Sequence, residues 1–343
     1  MKTLTSLMVA CSMMLAAGAQ AAPTGEKACA VTLKMGTLAP EGSSWHLILK
    51  DMGEKWKTAP GGGVALKIYP GGVLGDEPVV INKMRIGQIQ AGVLTMAGLS
   101  HIDNAGFALC FPMMYRSYEE LDYVRDRMKP YLEKRMLDRG FVVLNWGDAG
   151  WVYFFGKTPI RTPDDLKKMK FFVWAGDNDS VNLWKSAGFS PISLASTDIM
   201  PGLQTGLINC FDTTAISALS FQWFPLAPQM TNVKWAPLIG ATVVTKKAWA
   251  KVPVAAREAV RAAALEAGER MREEIRSADD KAIGIMKEKG LKVVDVTPEQ
   301  HAAWQKLFED SYPKMVDVLT PRESFDMAMK YRGEFRAKQD KVK

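Results

Sequence analysis

The residues able to do chemistry form a short inventory. Phe171, Phe172, Val173 and Trp174 make an apolar run that stops at Gly176-Asp177-Asn178-Asp179, and Asn209 to Thr214 sets Phe211 beside Asp212, Thr213 and Thr214. Aromatic walls with a few convergent polar groups are the usual lining of a small-molecule pocket. Trp45, Trp151, Phe172, Trp174, Phe211, Asp212 and Thr213 are therefore the candidate ligand-binding residues. Catalytic machinery is not visible. His46, His101 and His301 are scattered, without the spacing of a metal site, and no Gly-x-Ser-x-Gly elbow occurs. Cys210 has only Asp212 nearby, and a carboxylate raises a thiol pKa rather than activating it. No metal, no cofactor and no enzymatic activity are expected. The one enzymatic alternative is an exported lipid-modifying enzyme using Asp177, Asp179 and Asp212 for acid/base work.

These groups need a scaffold to bring them together. Pro163 and two aspartates open a short helix with lysines at its far end, and the β-branched and aromatic run to Trp174 reads as a strand. Ser180 to Ala187 then reads as helix, Ser190 to Leu194 as strand, Thr197 to Thr205 as helix and Leu207 to Phe211 as strand. Strands alternating with helices predict a parallel sheet, with ligand beyond the strands' carboxyl ends, where Trp174 and Phe211 to Thr214 fall. A similar α/β unit precedes it, with strands at Val31 to Leu38, Val64 to Tyr69 and Gln90 to Met96 and helices near Ser44, at Glu77 to Ile86 and at Tyr118 to Arg139. Phe141 to Phe155 is long for one strand, and Gly147 and Gly150 interrupt it as bulge or hinge positions would, a second hinge being expected near Gly240. Val254 to Met286 carries an apolar stripe, Val260 to Ile285, along one very long helix, and two further helices follow from Pro298 and about Arg322.

The predicted fold class is α/β, two-lobed, with hinge-crossing strands and a long bracing helix. Residues 22–145 form one lobe, with return segments at about 233–260, and 146–232 form the other. Residues 254–343 supply the bracing helix and C-terminal helices packing on both. Lys2, the apolar run Leu7 to Ala17 and Ala19-Gln20-Ala21 make residues 1–21 a cleaved secretory signal. No later stretch reaches the ~20 apolar residues of a membrane span. The formal charge is +7, but acids and bases mix along the helices as on a solvated face, and no nucleic-acid motif is present. Three cysteines remain after the signal, so the core, not a disulfide framework, must hold the fold. Such a chain suits a binding protein whose lobes close on a small molecule.

Several segments also carry a family resemblance. Thr37-Leu38-Ala39-Pro40, Ile68-Tyr69-Pro70-Gly71-Gly72-Val73-Leu74-Gly75-Asp76-Glu77, Met84-Arg85-Ile86-Gly87, Pro163-Asp164-Asp165-Leu166-Lys167 and Leu203-Gln204-Thr205-Gly206-Leu207 keep the order seen in the extracytoplasmic solute-binding subunits of TRAP transporters, the DctP-like family. The resemblance implies a periplasmic-binding-protein fold in the periplasm and delivery of a small-molecule solute to membrane subunits driven by an ion gradient. Most such proteins resemble Leu-Lys-x-Leu-Lys-Ile-Arg-Val-Pro at the strand before the turn, the arginine clamping a substrate carboxylate in bidentate fashion. Phe172 stands in that arginine's place and Trp174 in the proline's. The pattern is closest to the subgroup encoded with tetratricopeptide-repeat partners, which implies a hydrophobic, lipid-like or aromatic solute. Alternatives stay open: a carboxylate held instead by Arg116 or Arg161, Phe172 or Trp45 as core, Asp212 to Thr214 as a helix cap, and Gly150 as room for Trp151.

Overall fold

The computed structural model describes residues 29–341, so the signal segment at 1–21 lies outside the described residues. Ten strands are present among them: β1 (Val31–Thr37), β2 (Val64–Tyr69), β3 (Ala91–Thr95), β4 (Phe141–Gly156), β5 (Lys170–Trp174), β6 (Ser190–Leu194), β7 (Cys210–Thr214), β8 (Gln229–Thr231), β9 (Ala236–Thr245) and β10 (Lys292–Val294). Their order is β2-β1-β3-β9-β4-β7-β5-β6, with β8 on β4 and β10 on β8. Each half is a parallel unit, β2-β1-β3 on one side and β7-β5-β6 on the other. The parallel pairing expected from the strand and helix alternation is present in each half, and the crossing strands join the halves antiparallel, β9 to both β3 and β4, and β4 to β7. The reason is connectivity: β4 takes the chain out of the first half and β9 brings it back. The boundary expected between residues 145 and 146 thus falls inside β4.

Two register shifts, at Val143/Asn145 and Asp148/Gly150, bend β4 against β9. Gly150 sits in the second shift at φ +112°, a conformation that side chains rarely adopt, and a Cβ there would lie 3.2 Å from Thr214 Cβ. The first shift is filled by Asn145, whose side-chain oxygen accepts from the Thr242 backbone N–H and whose amide donates to the Ala264 carbonyl. Ala264 belongs to the helix Val254–Glu288, 35 residues long, and Gly268 one turn on lets that helix press onto the strand. A Cβ at Gly268 would stand 2.8 Å from Asn145 Cβ.

That helix buries Val260, Ala264, Ala267, Met271 and Ile275 with Leu49, Trp56, Val142 and Leu144, and Ala282 and Met286 in the larger core that includes Phe171, Phe211 and Trp304. It therefore braces both halves, although Ile285, expected on its buried stripe, is exposed. The later helices do the same. On Pro298–Met315, Trp304 Nε1 donates to the Arg161 carbonyl and Tyr312 Oη to the Pro112 carbonyl, while Arg336 on Arg322–Asp340 pairs with Glu120. The thiols of Cys29, Cys110 and Cys210 are free.

Under the second bend lies a buried ionic cluster. Asp148 accepts from Arg125 Nη1 at 3.1 Å and from Arg276 Nε at 2.7 Å, and both arginines also bond Asp122 at 2.7 Å. One cluster thus ties β4, the helix Tyr118–Asp138 and the long helix together. Removing one partner of such a cluster strands an unpaired charge, so Arg125→Met should lower stability by about 3–5 kcal/mol in urea unfolding. Exposed Lys306→Met, which loses only a surface pair with Asp310, should cost about 1 kcal/mol or less. Equal losses would show that the cluster contributes nothing beyond an ordinary surface pair.

Candidate functional site

Between the two halves lies a cleft of about 130 Å³. Five aromatic side chains line it: Trp45, Phe172, Trp174, Phe221 and Trp223. Trp45 is held at the start of the helix Ser44–Lys57, whose N-terminus is fixed by Ser43 Oγ accepting from the His46 N–H. Phe172 and Trp174 are two residues apart on β5 and so share a face, their rings 5.5 Å apart and edge to face. Phe171, on the other face, packs against Trp184 and Phe189 instead. Phe172 is 2 % exposed yet belongs to the lining, so it serves both the core and the wall.

The strand expected at Leu207 to Phe211 begins three residues later, at Cys210. Asn209 is taken up by Lys170, whose backbone N–H it accepts with its side chain while donating its own N–H to the Lys170 carbonyl. The shift carries Asp212 and Thr213 to the end of β7, and both line the cleft. Helix capping falls to Thr214, whose Oγ1 accepts from the Ser217 N–H.

Two expected lining residues are placed elsewhere. Trp151 emerges beyond the Gly150 bend, is buried, and packs against Tyr118 at 5.5 Å. Phe211 is fully buried one layer behind the wall, stacked on Phe155 at 5.0 Å and supporting Trp223 edge-on at 5.7 Å. Packed between Phe155 and Trp223, Phe211 does not reach the space that Asp212 and Thr213 enter. Phe221 and Trp223, stacked at 4.7 Å, were missed because they follow a short helix with no periodic pattern. Only the aromatic density of Phe221-Gln222-Trp223-Phe224 could have marked them. Asp177 caps the helix Asn178–Ser186 and Asp179 lies in its first turn; neither lines the cleft with Asp212. Arg116 and Arg161 are exposed and outside the lining, so neither supplies a relocated clamp there.

Among the described residues the lining contains three carboxylates and no lysine or arginine. Glu77 is saturated, accepting from the Thr95 N–H and hydroxyl and from the Gly98 N–H at 2.7–2.9 Å. Asp148 is neutralised by its two arginines. Asp212 receives no side-chain donor among the described residues. It is half-buried by area because it opens onto the cleft, yet protein surrounds it closely, and burial pushes its carboxyl up to about 7. Burial likewise raises Glu77 to about 7 against the opposing pull of its Thr95 bonds.

The cleft is closed over by a contact between the far ends of the sheet. Asp76, which caps the helix Glu77–Arg85, accepts from the Ser196 N–H at 2.8 Å and the Ser196 hydroxyl at 2.9 Å. Beside it Gly72 adopts φ +73°, and a Cβ there would crowd Thr197 Cγ2 at 3.2 Å. Ser196 follows β6 and Asp76 follows β2, the two outermost strands of the order, so the contact joins the segments that leave those strands in the two halves.

Two α/β halves crossed by a pair of strands and joined across a cleft are the architecture of a protein that captures a solute. The chain belongs to the bacterial extracellular solute-binding proteins of family 7, whose model matches residues 35–318. It is 27% identical over 278 residues to the 2,3-diketo-L-gulonate-binding periplasmic protein of Escherichia coli, spanning 77% of this chain and 81% of that one. Among solved structures, a TRAP periplasmic solute-binding protein of Roseobacter denitrificans with bound L-galactonate superposes at TM-score 0.80 with 24% identity, covering 89% of this chain and 99% of that one. A counterpart from Sulfurospirillum deleyianum with bound succinate gives the same TM-score at 20% identity, covering 89% and 99%.

A carboxyl raised to about 7 from an ordinary value near 4 makes the folded protein bind the proton more tightly than the unfolded chain. The stability it contributes is full below about pH 4 and is lost as pH rises through about 7. Tm should accordingly rise by several degrees from about pH 8 to about pH 5, with Asp279, raised to about 6 by burial, acting in the same direction. Asp212→Asn should raise Tm at the alkaline end and flatten the profile; an unaltered slope would exclude Asp212 as a contributor. The edge contact has its own test. Ser196→Ala removes one hydrogen bond of about 1 kcal/mol, which should multiply the open population several-fold. Solution scattering would then give a larger radius of gyration than the parent, and an identical radius would show that this bond does not hold the cleft shut.

Proposed function

We propose that this protein is the periplasmic solute-binding subunit of a TRAP-type system and that it captures a largely apolar, lipid-like or aromatic small molecule, binding it without chemical change. The observation that carries the reading is the lining itself: five aromatic side chains and, among the described residues, no lysine or arginine. A carboxylate transferred into such a cleft would lose its hydration and gain no guanidinium in return, which is costly. The solute is delivered to ion-driven membrane subunits or, as in the subgroup that the sequence resembles, to a tetratricopeptide-repeat partner. Closure is proposed to pivot at the β4 bend near Gly147 and Gly150 and at Gly240 opposite, with the long helix limiting the swing.

A carboxylate solute is the second reading, favoured by the L-galactonate and succinate bound in the related structures. Thermal shift separates the two. Indole should stabilise the wild-type protein, by about 2.7 kcal/mol at a hundred times its Kd, whereas succinate and galactonate should leave Tm unmoved. Phe172→Arg should abolish the indole shift. Stabilisation of the wild type by either acid, with Phe172 in place, would overturn the apolar reading.

A further inference from the structure

Resting on that reading of the cleft as the solute site, we infer that the solute carries a positively charged nitrogen on its apolar body: an amine or quaternary ammonium seated between Asp212 and the aromatic side chains that line the cleft. Three observations converge. Aromatic faces attract cations through their quadrupoles, and cages of such rings are a recurring device for ammonium recognition. Trp45, Phe172, Trp174, Phe221 and Trp223 surround one small cleft. Asp212 is the lining carboxylate left without a side-chain donor, since Glu77 is filled by Thr95 and Gly98 and Asp148 by Arg125 and Arg276. Finally, no lysine or arginine lines the cleft among the described residues, so an ionised Asp212 has no protein counter-charge within it.

The local sign runs against the chain as a whole, which carries a formal charge of +7. A negative, aromatic interior inside a basic protein is therefore a property of the site and not a by-product of composition. Burial raises the Asp212 carboxyl toward about 7, and an ammonium placed against it would draw it back down, so loading is accompanied by loss of a proton from Asp212 near neutral pH. The charged groups nearest the floor are spoken for by one another: Arg125 and Arg276, which lie outside the lining, by Asp122 and by Asp148, which lines it. The cation–carboxylate contact would thus be made in a dry setting, where charge-assisted bonds are strongest.

The test holds shape constant and varies charge. Benzylamine, benzyl alcohol and benzoate share one ring and one side arm with charges of opposite sign or none. Isothermal titration of the intact mature chain on the alkaline side of neutrality should rank benzylamine tightest, at least about tenfold above benzyl alcohol, with benzoate weakest. Asp212→Asn, which keeps the side-chain shape, should bring benzylamine down to about the affinity of benzyl alcohol. Its Tm, measured alongside, establishes that it folds. Trp174→Leu should weaken benzylamine more than benzyl alcohol. Benzyl alcohol binding as tightly as benzylamine, an unchanged ratio in Asp212→Asn, or no benzylamine signal at millimolar concentration overturns the cationic solute while leaving the apolar reading intact. Benzoate binding tightest overturns both.

Discussion

Asp148 is the residue on which the arrangement of the molecule turns. A carboxylate under the floor of an apolar cleft is tolerable only with its charge met at close range, and Arg125 and Arg276 meet it from two different helices. Because Asp148 also sits at the register shift of β4, satisfying the charge fixes where the crossing strand bends and which residues its two arms present. Asn145 does the same with uncharged hydrogen bonds one bend earlier, joined to the long helix through Ala264. The floor is thus rigid, while the walls, which come from β5, β7 and short helix ends, are attached to it by strand termini.

Much of this was legible in the residue order. The long strand with its glycines, the bracing helix and the alternation of short strands and helices all correspond to observed elements. Trp45, Phe172, Trp174, Asp212 and Thr213 do line one cleft. What sequence could not supply was anything decided by register. Asn209 binding back to Lys170 moved the start of β7, and Phe211 then stacked on Phe155 behind the wall while Asp212 opened onto the cleft, a placement that no composition reveals. Trp151 was lost for a related reason, the positive φ at Gly150 turning the strand before it. The return of the chain near residue 240 was legible, but its place between β3 and β4 was not, because that depends on pairing with two strands far earlier in the chain.

The comparison with carboxylate-bound relatives sharpens the meaning of one position. A shared fold leaves the sign of the cleft free to vary, since charge is set by a few side chains at strand ends and not by the sheet that carries them. Here Phe172 lines the cleft, and its ring contacts Trp174 edge to face. The remaining carboxylates are then balanced by structure in two cases, at Glu77 and Asp148, and left open in one, at Asp212.

The late return of β9 has a consequence for how the chain is made. Ala236–Thr245 lies between Ala91–Thr95 and Phe141–Gly156, so the first half of the sheet keeps an unpaired edge until that segment has arrived. Pairings between residues so distant in sequence must wait for closure of long loops, and topologies of this kind acquire their order slowly. Until then β3 and β4 each keep a hydrogen-bonding edge without a partner, the kind of edge that makes incompletely folded chains prone to aggregate.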